Sequence, residues 1–260
     1  MRSFSSLCKP LSPAFLHPNN MPVRIGLVVL ATDMVVEVEW REIFAGLPIE
    51  ILVARIACAA EVTPKALLTM AHEIGHCASL ILPDVELDAI AYGCTSGSLV
   101  IGEEKVQQLL QQGNSEQITS NPFSAIKAAL AFIKAKNIVV LSPYLASVNE
   151  PFYNALDSVG YNIMAWGSLD LTLDKDIGSM NPEHLPKLIE ELLAGVDAVP
   201  DAVFISCTNF KAVAKLAELE QRYGCYFISS NQVMAWHLLH QLNISLPNMK
   251  AGRLFETPSI

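Results

Sequence analysis

From Val23 onward the chain alternates short apolar, β-branched runs with amphipathic stretches of helical period. Strands are expected over residues 23–30, 49–55, 89–92, 138–141, 162–165, 202–206 and 226–229. Helices are expected over 64–81, 103–112, 122–134, 150–159, 182–193, 210–223 and 232–242. Such alternation constrains the fold class to α/β, with parallel sheets flanked by helices.

The alternation also occurs twice in similar form. "RIGLVVLATD" opens one half and "NIVVLSPY" the other, each a hydrophobic strand running into small polar residues. Asp33 precedes Cys94 by 61 residues, and Tyr144 precedes Cys207 by 63. Around the cysteines, "LDAIAYGCTSGS" and "PDAVFISCTNF" both read Asp-Ala, a short apolar strand, then Cys-Thr and a small polar residue. Two similar lobes related by a pseudo-twofold axis would each carry a cysteine at the carboxyl end of a strand, the edge where open α/β sheets bind ligands. Facing lobes would set Cys94 and Cys207 on opposite sides of an active-site cleft. The expected division is residues 22–118 with 230–260 in the first lobe and 119–229 in the second. Residues 1–21, with no acid, three prolines and four serines, read as a disordered extension and make a poor transit peptide.

Composition narrows the partners. With 17 basic against 26 acidic residues the net charge is −9, and no Lys/Arg cluster breaks that balance. Nucleic acid and anionic membrane surfaces are therefore excluded as expected partners. No run approaches 18 apolar residues, so no membrane span is expected. The six cysteines are scattered without a C-x-x-C pair, which suits a reducing, cytoplasmic setting.

One motif points elsewhere. His72-Glu73-Ile74-Gly75-His76 has the H-E-x-x-H spelling of a zinc-protease helix. Thr63 as cap and Pro64 at the first position start the expected helix there. Its apolar stripe is Leu67, Ala71, Ile74, Ala78 and Ile81. At 100° per residue His72 lies roughly 140° from the stripe centre and His76 roughly 180°. Both would face solvent. No third ligand follows at the usual spacing, since Ser79 and Leu82 stand where Gly and His are needed. No metal site is expected.

The repeated cysteines carry more chemistry. Amides and the dipole at a helix start favour a thiolate. The same amides, with the hydroxyls of Thr95, Ser96 and Ser98, can cradle a carboxylate. Thr208 and Asn209 supply equivalent donors beside Cys207. Two thiols across a cleft can take a proton from one face of a carbon and return it to the other. Alternatively, one adds covalently while the other donates a proton. Cys8, Cys58, Cys77 and Cys225 read as ordinary apolar positions.

"YGCTSGS" and "SCTN", with "SPY" between them and "SSNQVMAWHLL" near the end, resemble the aspartate/glutamate racemase superfamily. The likeness is to its branch of maleate cis–trans isomerases and arylmalonate decarboxylases, and most to the ectoine/hydroxyectoine-utilisation proteins, through "GLVVLATD", "NPFSAIKAAL" and "DAVFISCTN". The resemblance runs from about residue 23 to 242. It implies a two-lobed, cofactor-independent isomerase or racemase, a homodimer or higher homo-oligomer, acting on a small carboxylate. By motif, Cys94 would be nucleophile or base and Cys207 the proton donor. Thr32, Thr95, Ser96, Thr208 and Asn209 would bind substrate, and Tyr144 would offer its phenol to a carboxylate or enolate.

Two positions depart from the maleate isomerases. Asp33 stands where they hold a substrate carboxylate with an asparagine, and a loose alignment puts Asp170 at a second such position. A carboxylate facing a carboxylate repels it. Asp33 would then pair with a substrate cation, assist Cys94, or only cap a helix. Arylmalonate-type decarboxylases keep only the second cysteine, whereas this chain has both.

Overall fold

The computed structural model describes residues 8–9, 11–17, 20–59, 62–112, 114–244 and 251–256. Ten of the 21 residues of the expected extension fall outside them. Two four-stranded, all-parallel sheets form the frame. The first orders Val23–Leu30 (β1), Ile49–Ile56 (β2), Ala89–Gly93 (β3) and Ile118–Ser120 (β4) as β2-β1-β3-β4. The second orders Asn137–Ser142 (β5), Asn162–Ser168 (β6), Ala202–Ile205 (β7) and Tyr226–Ser229 (β8) as β6-β5-β7-β8, the same topology moved along by four strands.

The repeated Asp-Ala has a physical cause. Asp88 precedes β3, and its carboxylate accepts the Arg24 amide at the start of β1 (2.7 Å). Asp201 precedes β7 and accepts the amides of Lys136 (2.9 Å) and Asn137 (2.7 Å) at the start of β5. Each aspartate thus pins the head of one central strand against its neighbour. Those amide hydrogen bonds hold Asp201 below the usual carboxylate range. The cysteines follow at the opposite ends of the same strands.

Several elements differ from expectation. "VEVEWREI" alternates apolar and polar like a strand, yet forms a helix, Val36–Ile43. Asp33 Oδ1 accepts the amides of Val35 (2.8 Å) and Val36 (2.9 Å), nucleating the first turn. Val36, Glu39, Trp40 and Ile43 then form its buried face. The helix expected over 64–81 is two, Pro64–Thr69 and Ala71–Ser79. The Thr69 hydroxyl bonds back to the Ala66 carbonyl (2.7 Å), competing with the backbone ladder at the break. Thr63 caps the first of them as expected, accepting the Ala66 amide. β4, three residues long, shows no readable period.

A single apolar cluster joins the sheets. It contains Ile25 and Leu27 of β1, Ile138 and Val140 of β5, Phe204 of β7, and Leu238 of the Ser230–Gln241 helix. No helix among the described residues is long and apolar enough to cross a membrane.

Candidate active site

His72 and His76 are both exposed, as the helix geometry requires, while Ile74 and Cys77 face inward. The H-E-x-x-H stretch is an outer helix face.

Cys94 leaves β3 as the N-cap of the Thr95–Ile101 helix. Its Sγ accepts the Gly97 amide at 3.3 Å, and Ser96 Oγ lies 3.8 Å away. Gly97 is required by that fit: a Cβ there would lie 2.5 Å from the Tyr92 hydroxyl and 2.9 Å from Cys94 Sγ. Thr95 and Ser96 sit in the first turn, where amides lack an intrahelical acceptor.

Cys207 follows β7 with φ at +101°, a region costly for a residue with a Cβ. The surroundings hold it there. The Cys207 amide donates to Ser230 Oγ (3.0 Å), which also accepts the Thr95 hydroxyl (2.8 Å). Ser230 therefore fastens the two cysteine turns to one atom. The Thr208 hydroxyl donates to the Gly93 carbonyl (3.3 Å), a second tie between the sheets.

Cys94 and Cys207 line one cavity, to which the first half of the chain also gives Thr32, Asp33, Cys58, Thr95 and Ser96 and the second half Tyr144 and Thr208. Leu30, Val62, Leu67 and Met70 add an apolar wall. Tyr144, 2% exposed, lies beside Cys207. Asn209 does not line the cavity. Its Oδ1 accepts the Met34 amide and its Nδ2 donates to the Asp174 carbonyl, each at 2.8 Å, so it clamps two loops. Ser98 is likewise turned away, donating to the Thr95 carbonyl.

Asp170 is exposed, accepts the Ser168 hydroxyl and stands outside the cavity. Asp174, four residues on, is the aspartate that lines it, 5% exposed and bonded by the Thr32 hydroxyl. The short helix Asp174–Gly178 delivers it. Gly178 lets that helix press against the Asp33 turn, since a Cβ there would meet Met34 Cε at 2.5 Å and Asn209 Oδ1 at 2.7 Å.

Burial governs the thiols. Cys94 is pushed up to about 12, chiefly by desolvation, with the Asp174 charge adding to it. The Gly97 amide and Ser96 oppose this without prevailing. Cys207 is raised well above an ordinary thiol by burial, then by Asp174, with Asp33 contributing. The expected lowering by a helix start is therefore present but outweighed. Burial thus favours the protonated thiol over the thiolate at both positions.

Two parallel sheets, each with a cysteine at its carboxyl edge and both cysteines in one cavity, define a two-lobed α/β enzyme of cysteine chemistry. The chain belongs to the arylmalonate decarboxylase family, whose model matches residues 25–255. Among curated proteins it is similar to a maleate isomerase of Nocardia farcinica, 24% identical over 91% of this chain and 96% of that one. A maleate isomerase of Pseudomonas putida is 23% identical over 75% and 79%. Among solved structures, a cysteine-to-serine variant of the Nocardia farcinica maleate cis-trans isomerase, with a covalently bound succinylcysteine intermediate, superposes with a TM-score of 0.80 at 23% identity, covering 89% and 97%. A variant of arylmalonate decarboxylase reaches 0.78 at 18%, covering 90% and 99%.

Proposed function

We propose that the chain is a cofactor-independent isomerase or racemase acting at a carbon next to a carboxylate, with Cys94 and Cys207 as its paired reactive groups. The observation that carries this reading is that both cysteines, from equivalent turns of two like sheets, line the same cavity. One thiol, once ionised, removes a proton or adds to the carbon, and the other delivers a proton from its own side. The first-turn amides of Thr95 and Ser96, the Thr208 hydroxyl and the Tyr144 phenol bind the carboxylate or the developing enolate. Thr32 acts on substrate through Asp174. The same reading places the enzyme in the cytoplasm as a homodimer or higher homo-oligomer. An ectoine-derived or amino-acid-like acid suits it better than maleate, because aspartates line the cavity.

The test is deuterium wash-in, followed by NMR, with maleate, aspartate and ectoine-derived acids. Cys94→Ser and Cys207→Ser are each expected to lose at least 100-fold in rate. Full activity in either variant sinks the two-cysteine reading. The family description favours one alternative, decarboxylation with Cys207 alone, which predicts carbon dioxide release that survives Cys94→Ser.

A further inference from the structure

The cavity holds two carboxylates, Asp33 (4% exposed) and Asp174 (5% exposed). Among the described residues lining it there is no Lys, Arg or His. Asp33 spends Oδ1 on the amides of Val35 and Val36, while its buried Oδ2 accepts no hydrogen bond, the neighbouring Thr208 hydroxyl donating instead to the Gly93 carbonyl. A pure helix cap needs one oxygen, so the second remains to be explained. An unpaired buried acceptor is costly, and a ligand donor would satisfy it. Asp174 is held toward the same space by Thr32 and, through its carbonyl, by Asn209. Asn209 also fixes the turn carrying Asp33, so one side chain sets both carboxylates.

We propose that Asp33 and Asp174 form a cation subsite beside the two thiols, and that the substrate carries an ammonium or amidinium group as well as its carboxylate. The proposal rests on the cleft being the active site and adds the chemical class of what enters it. A dicarboxylate without a cation would set its negative charges beside Asp33 and Asp174, in a cavity lined by no Lys, Arg or His among the described residues. A bound cation offsets both. It also offsets the Asp174 charge, which adds to burial in raising both thiols, and the Asp33 charge, which adds to it at Cys207. Asp33 is thereby a group that touches substrate, with helix capping as a second duty.

Charge-selective thiol labelling tests this without turnover. Methanethiosulfonate reagents bearing an ethylammonium or an ethylsulfonate group are compared at Cys94 by site-resolved mass spectrometry. Rates are normalised to the neutral methyl reagent and to a free thiol. The ammonium reagent is expected to react at least 10-fold faster than the sulfonate, with the ratio collapsing in Asp33→Asn/Asp174→Asn. In parallel, aspartate is expected to protect Cys94 from the neutral reagent at 10-fold lower concentration than succinate, which lacks only the ammonium. Equal rates for the two charged reagents overturn the proposal, as does a ratio unchanged by the double substitution. So does labelling by the neutral reagent with exclusion of the ammonium one. A preserved charge preference with activity unaffected by Cys94→Ser and Cys207→Ser would instead leave the subsite standing and remove the two-cysteine reading.

Discussion

Cys207 shows how one residue is constrained by parts far from it in sequence. Its positive φ favours glycine, yet a cysteine stands there, and the Ser230 hydroxyl holds the amide from the other side. The usual order of small substitutions should therefore invert. Cys207→Gly is expected to be more stable than Cys207→Ala by about 1–3 kcal/mol, although glycine normally loses to alanine. Urea denaturation of the two variants checks this, and an alanine variant equal to or better than glycine refutes the strain. Both cysteines were legible because each sits in a repeated phrase. Ser230 was not: its contacts, to Thr95 and to Cys207, lie 135 and 23 residues away and exist only once the sheets meet. Asp174 escaped for a related reason, since the loop after β6 has no readable counterpart in the first half.

Among the elements, the Val36–Ile43 helix carries the clearest consequence for stability. Its Glu39 is buried against the other sheet's helices, accepting the amides of Ala212 (2.7 Å) and Val213 (2.9 Å) and the Asn231 side chain (2.7 Å). Burial, the largest influence, raises its pKa from 4.5 to about 7 despite those donors, and Glu42 adds to the rise. The folded chain thus keeps a proton that the unfolded chain has released between those values. Stability is therefore expected to fall as pH rises through that window, by on the order of 3 kcal/mol for this group. Glu39→Gln keeps an oxygen for the two amides and should flatten the dependence. Some slope should remain, because burial also raises Asp33 and Glu220. Urea midpoints measured from pH 5 to 8 decide it, and parallel profiles for the two proteins would refute the assignment. This helix was hidden in the sequence because Val-Glu-Val-Glu imitates a strand, and its starting signal is a carboxylate that also faces the cavity. β1 and β8, by contrast, have the bounds their apolar runs imply.

At the scale of the molecule, the two sheets look separable in the chain and are not separable in the core. The phrase-for-phrase repeat made two lobes legible, and the matching strand orders bear that out. Periodicity, however, says only that a face is buried, not against what. The Ser230–Gln241 helix packs on elements of both halves, meeting the Val36–Ile43 and Pro122–Phe132 helices and both β4 and β8. β4 itself crosses the boundary expected after residue 118. Above this shared apolar layer lie the polar ties between the halves: Thr95 and Cys207 to Ser230, Thr208 to Gly93, and Glu39 to Ala212. A lobe that opened alone would expose its half of the layer to water and exchange those hydrogen bonds for hydration, at a net cost of about 0.5–1.5 kcal/mol each. Native-state hydrogen exchange is thus expected to show the central amides of β1, β3, β5 and β7 opening only together, with one free energy and one denaturant slope. A lower opening energy confined to β5 and β7 would mean that the second sheet unfolds on its own. The cleft between the sheets would then be a hinge rather than the fixed seam these contacts describe.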